Sequence, residues 1–204
     1  RIIEEKVSTK NINKIISKHC DFNVDIFSLD IDSIDYWIID KLKPNISKIF
    51  VAEYNPVFGS SLEVTVPNLA NFDRGKYHYS HLCYGMSLKA LINLMSKKNY
   101  YFIGSNSLKN NAFFVSNDFP MNQYFKKLEL ESLDYYVDSN VRESRDITGN
   151  LNYLSGEKKL NEILDCEVVD ISDDINKKIK IKDIFKRLLL TKSKYFLQLI
   201  LKSN

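Results

Sequence analysis

Two short apolar runs that each end in an acid decide the fold: DIFSLD at residues 25–30 and KIFVAE at residues 48–53. Near-continuous apolar runs are typical of strands that are covered on both faces in a parallel sheet. Between them the sequence predicts a helix at Tyr36–Leu42, with Ser33 or Asp35 as its N-cap. Strand, helix and strand in about thirty residues form a βαβ unit, so we expect an α/β fold.

The residues after this unit predict a loop, a helix and a strand pair. Residues 54–84 carry proline, glycine and polar side chains, and long loops inside compact domains are commonly functional. Residues 87–98 place apolar side chains at helical spacing. Tyr100–Gly104 and Asn111–Val115 then predict two strands joined by a polar turn. Weaker apolar patterns mark residues 128–136 and 160–171.

Charge separates the C-terminal end from the rest of the chain. Residues 175–204 hold nine Lys or Arg and one acid, a net charge of +8, whereas the whole chain carries +3. Residues 1–174 therefore carry −5, and we expect them to form the α/β domain. An amphipathic basic helix from about Lys182 predicts that residues 182–204 contact an anionic membrane surface or an acidic protein.

Composition excludes several classes of protein. With 204 residues, 44% hydrophobic and 27% charged, the chain is typical of one globular domain with a small appendage. The small net charge gives no indication of nucleic-acid binding. Cys20, Cys83 and Cys166 are widely spaced, which favours a reducing compartment, so we expect a cytoplasmic protein. Because the chain begins with Arg1, we also expect it to be a piece of a longer protein.

Glycine usage excludes the usual nucleotide-binding turns. No two of the six glycines lie two or five positions apart, so neither G-x-G-x-x-G nor a Walker P-loop is present.

Four stretches resemble the FkbM-like SAM-dependent methyltransferases: DIFSLDIDSIDYWIID (25–40), KIFVAEYNP (48–56), the block from Tyr77 to Phe119, and RESRDITGNLNYLSGEKKL (142–160). The resemblance implies a Rossmann-like (class I methyltransferase) sheet, in which residues 25–30 and 48–53 are the fourth and fifth strands. The last two strands are then the antiparallel pair. The family's first three strands, its glycine-rich SAM turn and the acid that binds the SAM ribose have no counterpart in these residues, and Ser33 stands where the family often has glycine.

The acids at the strand ends are the candidate site. Ligands bind at the carboxyl ends of strands in open α/β sheets, and alternate residues of an extended chain point the same way. We therefore expect Asp30 and Asp32 to bind the cofactor, and Asp30, Asp32 and Glu53 to hold Mg²⁺, which prefers oxygen ligands. Asp30 and His81 are the candidate catalytic residues, with His81 as general base on a substrate hydroxyl. Asp35 is interpreted as a helix-start residue.

The sequence leaves three functions open. The resemblance implies SAM-dependent O-methylation of a small molecule or sugar. The missing glycine turn favours a non-catalytic interaction module of methyltransferase fold. In the family fold another strand pairs with residues 25–30 on one side, and because that strand has no counterpart here, the open edge predicts a homodimer. Asp30-Ile31-Asp32 also matches the D-x-D of metal-dependent glycosyltransferases, a short and unspecific motif.

Overall fold

The computed structural model describes residues 2–20, 24–120, 124, 143–172 and 176–190. They form a mixed α/β structure, as the sequence predicts. The elements in chain order are α1 (Ile12–His19), β1 (Val24–Leu29), α2 (Asp35–Lys41), β2 (Ser47–Glu53), β3 (Val64–Thr65), α3 (Arg74–Tyr77), α4 (Leu88–Lys97), β4 (Tyr100–Ser105), β5 (Asn111–Ser116), α5 (Glu157–Glu162), β6 (Glu167–Asp170), β7 (Lys177–Lys180) and the helical residues 181–190, called α6 below. The predicted segment 128–136 lies outside the described residues.

The larger sheet has four strands in the order β1-β2-β5-β4. Strands β1 and β2 are parallel, with Leu29 opposite Ala52, which confirms the βαβ unit. Strands β4 and β5 form the expected antiparallel pair. Strand β5 also pairs antiparallel with β2, so that Glu53 lies opposite Asn111.

The expectation that both apolar runs are covered on both faces is wrong for β1. Among the described strands β1 pairs only with β2, and its Ile26 side chain is 62% exposed. Strand β2 lies inside the sheet and buries Phe50 and Ala52. Both runs have the same near-continuous apolar pattern. This pattern does not tell whether a strand lies at the edge or in the interior of the sheet.

One hydrophobic cluster joins the helices to the sheet. Helices α2 and α4 contact each other, and the cluster includes Ile38, Ile39, Leu91, Met95, Phe50 and Phe114, all essentially buried. Helix α4 begins where the sequence predicts, because the buried Ser87 hydroxyl accepts a hydrogen bond from the Ala90 amide at 3.2 Å. The same oxygen accepts from the Val64 amide at 3.2 Å and so ties α4 to β3.

A second sheet, which the sequence does not predict, has the order β3-β6-β7 with antiparallel pairs. Residues 54–84 supply a single turn of 3-10 helix at Pro56–Phe58, then β3 and α3. Strand β7 and α6 come from the basic residues 175–204, called the basic segment below. Helix α6 buries Ile181 and Ile184 in the hydrophobic cluster. In the described part of the chain, every helix is too short or too polar to cross a bilayer.

Candidate functional site

Three acids meet where the parallel strands end. Asp30 directly follows β1, Asp32 lies two residues further, and Glu53 is the last residue of β2. One carboxylate oxygen of each lies within 4.8 Å of the others, as expected for parallel strands whose carboxyl ends share one edge. We call this group the acid cluster. Hard oxygen donors at this spacing have the chemistry that Mg²⁺ requires.

Asp35 shapes the loop that carries the acid cluster. Its buried carboxylate accepts hydrogen bonds from the backbone amides of Ile31 at 3.0 Å and Ser33 at 2.9 Å. Between these two anchored amides, Asp32 adopts a left-handed backbone conformation with φ of 52°. Asp35 thus lies at the start of α2, as predicted. Neither Ser33 nor Asp35 is its N-cap, because that position is Ile34, which forms no side-chain cap.

Burial and mutual repulsion hold protons on the acid cluster. Burial, followed by the charges of Asp30, Asp32 and Asp35, raises the pKa of Glu53 to about 9. Burial, followed by the charge of Asp32, also raises the pKa of Asp30. At neutral pH the site therefore binds a proton at Glu53 unless a cation takes its place.

Arg74 provides the positive charge next to the acid cluster. Its Nη1 donates to Asp32 Oδ1 at 2.7 Å, and its guanidinium lies 5.8 Å from the centre of the Tyr84 ring. Helix α3 has only four residues, and Asp73 caps it through the amides of Gly75 and Lys76. Sequence reasoning missed Arg74, because nothing local indicates that this loop folds back on β1.

His81 lies on the α3 side of the site. Its Nε2 is 3.0 Å from the position that a Cβ would take on Gly75, so a larger residue there would displace the ring. Burial, followed by the charges of Arg145 and Arg74, lowers the pKa of His81. The imidazole is therefore neutral at physiological pH, which a general base requires. Its described contacts are with α3 and not with the three acids.

Four further polar residues of the resembling stretches are Asn111, His78, Arg142 and Arg145. Asn111 lies beside Glu53 in the sheet. His78 Nδ1 bonds to Ser80 Oγ at 2.7 Å. Arg145 donates to the Gly149 carbonyl at 2.8 Å, and Arg142 lies outside the described residues.

Asn55 is a second residue that the sequence did not indicate. Its side chain is fully buried. The amide nitrogen donates to the carbonyls of Leu82 at 2.8 Å and Tyr84 at 3.0 Å, and the oxygen accepts from the Val57 amide at 3.0 Å. Asn55 thereby holds the segment of Leu82–Tyr84 against the end of β2, beside the acid cluster.

Comparison with known proteins gives no relative from which to transfer a function. No family model, no curated protein and no solved structure matches the chain.

Proposed function

We propose that this chain carries the second half of a SAM-dependent methyltransferase of the FkbM-like type, which methylates a hydroxyl of a small molecule or sugar. The observation that supports it is the strand arrangement. Two parallel strands ending in acids adjoin an antiparallel pair, in the order β1-β2-β5-β4. The parallel pair and the antiparallel pair are what the resemblance implies for the fourth and fifth strands and for the last two strands.

The described residues fit a divalent cation better than they fit SAM. Asp30, Asp32 and Glu53 present three oxygen donors close together, and the raised pKa values of Asp30 and Glu53 show that a positive charge would relieve their repulsion. For SAM, Asp30 and Asp32 provide polar groups at the strand ends, and the chain has no glycine-rich turn. When bound, SAM would supply the electrophilic methyl group.

The chain's own residues would bind and orient the substrate. The acid cluster with its cation would position a substrate hydroxyl at the sheet edge, and positioning supplies much of the rate of such a transfer. His81, neutral at physiological pH, is the proposed acceptor of the hydroxyl proton. Arg74 would fix the direction of the Asp32 carboxylate through its hydrogen bond.

A non-catalytic interaction module of methyltransferase fold is the second candidate, because the chain has no glycine-rich turn. A metal-dependent glycosyltransferase is the third, because Asp30 and Asp32 of the D-x-D lie in one cluster.

Calorimetry separates these functions. The chain is titrated with SAM in the presence and absence of Mg²⁺. We expect binding that Asp30→Asn weakens. The matched control is Asp25→Asn, at the opposite end of β1. Binding of a nucleotide sugar and not of SAM would favour the glycosyltransferase over the methyltransferase. If neither this chain nor any longer form of the protein binds SAM or a nucleotide sugar, the interaction module is favoured.

A further inference from the structure

A cavity of about 290 Å³ lies where α4, α6 and the end of β6 meet the residues before β3. Its volume is close to the lower end of the usual range for small-molecule pockets, about 300–1,000 Å³, so the cavity suits a ligand smaller than most drugs. None of the residues that line it belongs to the acid cluster. The lining residues with the most distinctive chemistry are Leu62, Glu63, Lys89, Asp170, Ile184, Arg187 and Leu188.

The second sheet holds two acids in the wall of this cavity. Glu63 directly precedes β3, and Asp170 is the last residue of β6. Val64 lies opposite Asp170 in the antiparallel pair, and the Glu63 carbonyl accepts from the Ile171 amide at 3.0 Å. Both acidic side chains are largely buried, at 13% exposed for Glu63 and 12% for Asp170. The backbone of adjacent strands therefore fixes two carboxylates at one wall.

Neutral hydrogen bonds orient these two carboxylates. Glu63 Oε1 accepts from the Asn93 side-chain amide at 2.6 Å. Asp170 Oδ1 accepts from the Ser172 hydroxyl at 2.6 Å and from the Ser172 backbone amide at 3.2 Å. One oxygen of each acid is thus held by a neutral donor, and the second oxygen of each faces a cation.

The two cations are only loosely paired with the acids. Lys89 Nζ lies 3.5 Å from Glu63 Oε2, and Arg187 Nη2 lies 3.6 Å from Asp170 Oδ2. Hydrogen bonds between a nitrogen cation and a carboxylate are usually about 2.7–2.9 Å long. The side chains of Lys89 and Arg187 are 37% and 48% exposed, so a ligand can reach both of them. The cavity therefore presents two positive and two negative groups.

The rest of this lining is apolar. Leu62 is 1% exposed, Ile184 is 7% exposed and Leu188 is 41% exposed. Ile184, Arg187 and Leu188 are spaced by three and four residues, so they lie on the same face of α6. The charged groups of the cavity therefore adjoin an apolar surface.

We propose that this cavity binds a free α-amino acid with an apolar side chain. The planar guanidinium of Arg187 matches a carboxylate in two parallel hydrogen bonds, and Lys89 adds a second positive charge for it. Glu63 and Asp170 accept hydrogen bonds from the ligand's ammonium group, and the apolar lining covers its side chain.

The balance of charge favours a zwitterion over a simple ion. An anion alone would be repelled by the two acids, and a cation alone would be repelled by Lys89 and Arg187. An α-amino acid carries both charges on one carbon, with its side chain attached to the same atom. The proposal does not depend on the methyltransferase function.

Calorimetric titration of the unmodified chain with L-leucine is the primary test. We expect saturable binding at one site per chain. L-alanine should bind at least roughly tenfold more weakly, because its side chain buries less apolar surface. Absence of saturable L-leucine binding up to about 10 mM would overturn the proposal.

Two analogues of leucine test whether both charges are recognised. N-acetyl-L-leucine lacks the ammonium charge, and L-leucinamide lacks the carboxylate. Each should bind roughly tenfold more weakly than L-leucine, because charged groups of the cavity then lose their partner in the ligand. If either analogue binds as tightly as L-leucine, the cavity recognises one charge only and the zwitterion proposal is wrong.

Variants test the assignment of Arg187. Arg187→Gln should weaken L-leucine binding by a similar factor. The matched control is Lys186→Gln, because Lys186 is the neighbouring cation on α6, pairs with Asp183 and does not line the cavity. Thermal unfolding shows whether both variants fold. Equal affinity in Arg187→Gln and the original chain would contradict the proposed carboxylate partner, and the analogue series on the unmodified chain decides the proposal even if Arg187→Gln folds poorly.

Discussion

At the scale of single residues, the acid cluster is the feature with the largest electrostatic consequences. Asp30, Asp32 and Glu53 lie together at the sheet edge. Among the described residues, Arg74 is the cation that pairs with this cluster, through its hydrogen bond to Asp32. The cluster therefore has two ways of relieving repulsion, by binding a proton or by binding a cation. Each of them can be measured separately.

Added Mg²⁺ should raise the melting temperature of the chain. A ligand that binds only the folded state stabilises it by about 2.7 kcal/mol at a hundredfold excess over its dissociation constant. For a chain of this size that corresponds to roughly 5 °C or more. Asp30→Asn should abolish the rise, as differential scanning fluorimetry with and without Mg²⁺ or Mn²⁺ would show.

The control for this experiment is Asp25→Asn, an exposed acid on the same strand. Asp35→Asn should also retain a rise with Mg²⁺, but its starting melting temperature should be lower, because Asp35 holds the amides of Ile31 and Ser33. A melting temperature indifferent to both cations would leave the three acids as sheet-end residues.

Without divalent cations, Glu53 should make the protein less stable as pH rises. Its pKa is about 9 in the folded chain against 4.5 as the ordinary value, so the folded state binds the extra proton. The unfolding free energy should therefore fall between about pH 5 and pH 9. Glu53→Gln cannot ionise, so at pH 8 it should exceed the original chain by on the order of 1 kcal/mol or more.

Denaturant unfolding of the two proteins at pH 5 and pH 8 provides the measurement. The difference between them isolates Glu53, since the other titrating groups are common to both proteins. We expect nearly equal stability at pH 5 and a clear advantage of Glu53→Gln at pH 8. A difference that stays constant with pH would mean that Glu53 does not keep its proton.

At the scale of elements, strand β1 is the exposed part of the sheet. Its pairing partner among the described strands is β2, and Ile26 is open to solvent. An apolar strand edge invites pairing with another chain, whereas lysine on an edge opposes it. We expect the protein to self-associate at high concentration and Ile26→Lys to keep it monomeric, as measured by sedimentation velocity.

The matched control is Ile147→Lys, because Ile147 is similarly exposed and lies in a turn away from the strand. It should leave self-association intact. An original chain that sediments as a monomer at every concentration would contradict this role of β1.

At the scale of the whole molecule, the basic segment is partly neutralised by the domain that it follows. Lys178 pairs with Glu167, Lys180 and Lys182 with Asp165, and Arg187 with Asp170. Residues 176–190 therefore contribute structure to the second sheet as well as charge. Contact of residues 182–204 with a membrane surface or acidic protein stays a prediction, and residues 191–204 lie outside the described part of the chain.

Local pattern was sufficient for several elements and for the acid cluster. The apolar runs at residues 25–30 and 48–53 indicated parallel strands, and parallel strands bring their final residues to one edge, so Asp30, Asp32 and Glu53 could be grouped without a structure. The spacing from Leu88 to Met95 likewise indicated α4. These features follow from residues close together in the chain, where backbone geometry alone relates one side chain to the next.

Contacts between distant segments were decided by the tertiary structure alone. The position of β5 between β2 and β4, the sheet of β3, β6 and β7, and the approach of Arg74 to Asp32 all join residues tens of positions apart. Such contacts form because burial and hydrogen bonding have to be satisfied over the whole chain together. The local periodicity of a single sequence does not tell which distant segments pair.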